Sequence, residues 1–91
     1  MKLKYNMIIN DVAGQKVAVA VGDDLTNFAG FVKMNENAAF VFELLREEIT
    51  EEEIVEKVSE AYKCEIDDTL KSDIHSLILS LKKEGILEND E

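Results

Sequence analysis

The chain has 91 residues and a mass of 10.3 kDa, which suits one domain and leaves no room for two independent cores. Apolar residues make up 46% and charged residues 33%, enough side chain for a core and too much for a disordered segment. Ten Lys and Arg against twenty Asp and Glu leave a net charge of -10, which repels DNA and RNA and sets nucleic acid aside as a partner.

The longest apolar stretch of the strand-rich region is Val17 to Val21, far short of the roughly 18 residues a membrane span requires. Met1-Lys2-Leu3-Lys4 leads into no signal-peptide segment, so a soluble, cytoplasmic protein without membrane contact is expected. Cys64 is the single cysteine, which excludes an intrachain disulfide and a cysteine-cluster metal site. Residues 1 to 42 hold four bases and four acids, whereas residues 43 to 91 hold six bases and sixteen acids. All the net charge therefore lies in the second half, with no Pro/Ser-rich linker or repeat between the halves, and residues 1–91 read as one domain.

Gly14, Gly22 and Gly30 punctuate segments rich in Val, Ile, Tyr and Phe, a hairpin signal. Strands are predicted over about Asn6 to Val12, Gln15 to Val21 and Gly30 to Met34, with Ala13-Gly14 as the tight turn of a small antiparallel sheet. Val17, Val19 and Val21 share one face of the second strand, and the alanines between them permit close approach on the other.

From Asn35 the period becomes helical. Asn35 or Asn37 caps a first helix in which Ala38, Val41, Phe42 and Leu45 recur at helical spacing, with Phe40 and Leu44 on the flank. Thr50-Glu51-Glu52-Glu53 has the form of a capping box and opens a second helix with the core stripe Ile54, Val55, Val58, Ala61 and Tyr62. A third helix runs from about Asp68 to Glu84 with Leu70, Ile74, Leu77, Ile78 and Leu81 inward, and Gly85 ends it. Strands thus occupy about 6 to 34 and helices about 36 to 84. The fold class is α+β and winged-helix-like: a three-stranded antiparallel sheet followed by a three-helix bundle.

Several segments in this order carry a family resemblance: Phe28-x-Gly30, Met34-Asn35-Glu36-x-Ala38-Ala39, Val41-Phe42-x-Leu44-Leu45, Thr50-x-x-Glu53-Ile54-Val55, Tyr62, Asp73-Ile74 and Leu81-x-x-x-Gly85-Ile86-Leu87. The chain resembles the PqqD-like family, small recognition elements that bind leader segments of ribosomally made, post-translationally modified peptides. It departs from the family where a Gly often precedes the second helix, since Arg46-Glu47-Glu48-Ile49 stands there. The resemblance implies a non-catalytic, monomeric adaptor without cofactor or metal that presents a precursor peptide to a maturase, commonly a radical SAM enzyme.

The residues themselves offer little for catalysis. Cys64 and His75 have no third orienting group, and the acids from Glu47 to Glu53 lack the Asp-x-Asp-x-Asp-Gly loop of a calcium site. On a helical wheel Leu79 falls about 180° from the core stripe of the third helix, among Ser72, His75, Ser76, Ser80 and Lys82. A single exposed leucine is common and by itself requires no function. The resemblance instead implies a leader held between the third strand and this helix, and the expected peptide-binding set is Phe31, Val32, Lys33, Met34, Ser72, His75, Ser76, Leu79 and Lys82. Val32 and Met34 are expected to face the helix, with Lys33 at the rim to meet an acidic leader residue.

Two rivals are weighed against this reading. A winged-helix DNA-binding regulator needs a basic recognition helix, but Lys71, Lys82 and Lys83 are balanced by Asp68, Asp73 and Glu84. An acyl carrier protein needs an Asp-Ser-Leu setting at a helix start, and the nearest match is Lys71-Ser72-Asp73 in a chain that begins with strands.

Overall fold

A computed structural model describes residues 1–28 and 30–88 of the chain. In chain order these form β1 (Met7–Val12), β2 (Gln15–Ala20), a 3₁₀ turn at Gly22–Leu25, β3 (Phe31–Met34), α1 (Glu36–Leu44), α2 (Glu51–Tyr62) and α3 (Asp68–Lys83). The architecture is the predicted one, a three-stranded antiparallel sheet followed by three helices.

Val12 pairs with Gln15, so the hairpin loop is only Ala13-Gly14, and both residues take positive φ, at 52° and 83°. Two successive positive φ angles mark a type I′ turn, whose twist matches that of the flanking strands. The strand order is β1-β2-β3, and β3 pairs antiparallel with β2 from Lys16 opposite Met34 to Val19 opposite Phe31. The central strand turns its alanines to the core: Ala18 and Ala20 are buried, while Val17 and Val19 are half-buried on the outer face. Small side chains there leave room for Met7, Phe42 and Leu45, which are all fully buried.

Each helix opens on a side chain that satisfies an orphan amide. Asn35 accepts from the Ala38 amide at 2.8 Å, and Asp67 accepts from the Leu70 amide at 2.8 Å. Thr50 and Glu53 form the reciprocal capping box. The turn between α1 and α2 closes without glycine, and Arg46 reaches back to donate from Nη1 to the Met7 carbonyl at 2.6 Å.

Two core assignments need correction. On α2, Ile54, Val55 and Val58 are buried, but Ala61 is exposed and Tyr62 is 47% exposed, because the last turn runs past the core. On α3, Ile74, Ile78 and Leu81 are buried, but Leu70 and Leu77 are only half-buried. A further contribution comes from the segments flanking the predicted elements. Met1, Leu3, Ile86 and Leu87 are buried in the core, and the Leu3 and Lys4 amides donate to Leu45 and Ile86 carbonyls at 2.8 and 2.7 Å. No helix among the described residues is long and apolar enough to cross a membrane.

Candidate functional site

Among the described residues β3 has a strand neighbour on one side only, so its other edge is open to strand pairing. At the opposite edge of the sheet the Met7 carbonyl is already taken by Arg46. Beside β3 runs a groove of about 340 Å³. One wall is Val32, Lys33 and Met34, continued by Asn35 and Ala38; the other is Leu77, Ser80, Leu81 and Glu84 of α3.

Alternation along the strand decides what β3 shows to each side. Val32 and Met34 are half-buried and packed on the core, whereas Phe31 and Lys33 are exposed, with Lys33 Nζ 5.9 Å from the Phe31 ring centre. The α3 wall follows from the helical period in the same way. Residues 77, 80, 81 and 84 are spaced i, i+3, i+4 and i+7, one stripe of a helix.

Asn35, Ala38 and Leu77 also line a second cavity of about 470 Å³, bounded by α1, α2 and α3. Buried Val41, Val58 and Ile74 form its floor, Leu70 and Leu77 its walls, and exposed Asn37, Cys64 and Asp73 its rim. Tyr62 also lines it, and its ring meets Phe40 edge-on at 5.5 Å.

Of the nine expected peptide-binding residues, the structure brings Val32, Lys33 and Met34 to the groove, and Phe31 to the exposed edge strand. Ser72, His75, Ser76, Leu79 and Lys82 are exposed but do not line the groove. Leu79 lies two residues beyond Leu77, about 200° round the helix, and so points away from the wall that Leu77 builds. His75 Nδ1 sits 3.1 Å from both Glu51 carboxylate oxygens, tying α3 to α2. Leu77, Ser80, Leu81 and Glu84, the α3 residues that line the groove, lie outside the expected set, and their i, i+3, i+4, i+7 spacing is the sequence signal that points to them.

The sequence pattern of the family described as Coenzyme PQQ synthesis protein D (PqqD) matches residues 17–87. The chain belongs to the PqqD family. Among solved structures it is similar to the chain described as "TbiB1 in Complex with the TbiA(beta) Leader Peptide", with a TM-score of 0.72 and 18% identity over 100% of this chain and 99% of that one. No curated protein matches the sequence.

In this PqqD-family chain the groups with displaced titration have structural causes outside the groove. The Asn6 amide, 2.6 Å away, and the Asn27 side chain hold the Asp24 carboxyl below its ordinary range. The hydrogen bond from the Thr50 amide and, after it, the Thr50 side chain lower Glu53 in the same way. The Asp11 carboxylate, at 2.9 Å, raises Lys16 across the hairpin. Among the described residues no cluster of three His, Cys, Asp or Glu side chains is placed to hold a metal ion.

Proposed function

We propose that this PqqD-family chain is a non-catalytic adaptor that binds the leader of a ribosomally made precursor peptide and presents it to a modifying enzyme, a radical SAM maturase in the reading favoured by the family resemblance. The observation that carries the proposal is the free edge of β3 lying beside an apolar groove. An extended peptide adds to that edge as a fourth strand, and each main-chain hydrogen bond contributes roughly 0.5 to 1.5 kcal/mol net. Side chains on alternate positions of the added strand enter the groove between Val32, Met34 and Leu77. Lys33, at the rim, meets an acidic leader residue.

Membership of the PqqD family supports this reading, and so does the shared fold of a protein whose structure is described as a leader-peptide complex. The adaptor acts as one domain and as a monomer in the cytoplasm, where precursor peptides are made. Its leader binds near the micromolar level, about -8 kcal/mol, so that the product is released after modification.

The test is selection of a displayed library of random twelve-residue peptides on the immobilised protein, followed by titration of the ¹⁵N-labelled protein with an enriched peptide. Amide shifts concentrated in residues 31–38 and 77–84 are expected. Shifts confined to α2, or failure to enrich any peptide, overturn the proposal.

A further inference from the structure

Strand addition supplies affinity with little sequence preference, because every residue of a peptide offers the same main-chain groups. Discrimination among leaders must come from side-chain pockets. The groove beside β3 is the smaller space, closing on Val32, Met34 and Leu77 between the charged groups of Lys33 and Glu84. The larger space is the neighbouring cavity, whose 470 Å³ falls within the size range of small-ligand pockets.

Three residues, Asn35, Ala38 and Leu77, line both spaces, so the cavity adjoins the groove at the end of β3. The cavity floor is apolar and buried, and Leu70 and Tyr62 stand only partly covered at its sides. The one charged group at the rim is Asp73, in a half of the chain that carries the whole -10.

Resting on the adaptor reading above, we infer that the cavity between α1, α2 and α3 is the specificity pocket for the leader: it takes one aromatic or long aliphatic side chain from the residues next to the added strand, with a Lys or Arg beside it paired to Asp73. An aromatic anchor buries 150–250 Å² and gains its affinity by leaving water, whereas the rim pair, exposed to solvent, contributes little energy and mainly selects the sign of the neighbour. The acidity of the helical half favours the same sign at longer range.

The experiment uses the whole chain and the random twelve-residue library. Peptides enriched on the wild type are expected to share an apolar residue at a fixed distance from a strand-forming run, with Lys or Arg adjacent. Replacing that apolar residue by Ala in a synthetic peptide weakens binding about tenfold or more. Asp73→Lys, an exposed substitution whose fold is checked by its melt, lowers affinity for the basic-flanked peptide about fivefold and leaves an uncharged-flank peptide unchanged. Cys64, the only thiol, sits on the rim, so alkylation with fluorescein maleimide fills the entrance and makes the anchored and Ala peptides bind alike. If enriched peptides shift the amides of β3 yet tolerate Ala at every apolar position outside the strand, the pocket assignment is overturned while the adaptor reading stands. If no peptide is enriched, or none shifts β3, both are overturned.

Discussion

Leu77 and Leu79 stand on different sides of α3: Leu77 is half-buried and lines both the groove beside β3 and the adjoining cavity, whereas Leu79 is 51% exposed and lines neither. Two residues of helix separate them by about 200°, enough to send one into the groove and the other into solvent. The contrast yields a direct test. Leu77→Asp should weaken peptide binding at least about tenfold, or 1.4 kcal/mol, by placing a charge against the apolar wall, and Leu79→Asp should leave it within about twofold. Ser80→Arg, an exposed change on the same wall, should block the groove without disturbing the core. Ile78→Asp should abolish the cooperative melt, since Ile78 is fully buried. Fluorescence titration and thermal melts read all four; equal binding by Leu77→Asp and wild type would move the groove elsewhere.

The hairpin carries a local cost that substitution can remove. Ala13 holds φ at 52° as the first residue of the two-residue turn, a conformation in which an Asn is favoured and an Ala is strained. Ala13→Asn should stabilise the fold by about 0.5 to 1 kcal/mol and raise Tm by about 4 °C. Lys63, at the left-handed end of α2 with φ 51° and ψ 47°, should respond in the same direction to Lys63→Gly. Unchanged or lower melting temperatures would show that neighbouring contacts relieve the strain.

Acid should act on the capping box before it acts on the core. The Glu53 carboxyl is held below its ordinary range chiefly by the bond from the Thr50 amide and then by the Thr50 side chain, so the folded chain binds this proton less readily than the unfolded chain. Its contribution is therefore present above the unfolded carboxylate pKa and is lost as pH falls through the lower folded value. Thr50→Ala should cost about 1 kcal/mol at pH 7. Glu53→Ala should add a deficit that narrows in denaturant melts below roughly pH 4, as wild-type Glu53 protonates and gives up the bond from the Thr50 amide, a bond that Thr50→Ala leaves in place. A Glu53→Ala deficit constant from pH 7 to pH 3 would contradict the assignment.

Duplex DNA should not bind at physiological salt. The helical half carries all the net negative charge and the lysines of α3 are balanced by its acids, so few counterions would be released on contact. A mobility shift at submicromolar protein that fades with added salt would reverse this expectation.

Much of the architecture is legible from local signals. Asn35, Thr50 and Asp67 each bond to an amide three residues on, and Ala13-Gly14 turns the chain within its own hairpin, so these borders depend on neighbours within a few positions. The half-buried face of β3 was legible too, because a period of two leaves Val32 and Met34 only one shared side.

What the tertiary structure alone decided is which of several apolar faces the core would take. α3 carries leucine or isoleucine at positions 70, 74, 77, 78, 79 and 81, a stripe wide enough to serve a core and a groove at once, and only the packing of β3 and α1 beside it assigns Ile78 to the first and Leu77 to the second. Tyr62 is drawn to the cavity rim for a similar reason, since α2 outruns the surface it packs on. The burial of Met1 and Leu3 against Ile86 and Leu87 joins residues more than eighty positions apart, and no periodicity within either segment announces it. Sequence order determines contacts that close within a helical turn or a hairpin; contacts between elements depend on how much surface each neighbour leaves uncovered, and in this chain that is what makes a groove of one face of α3.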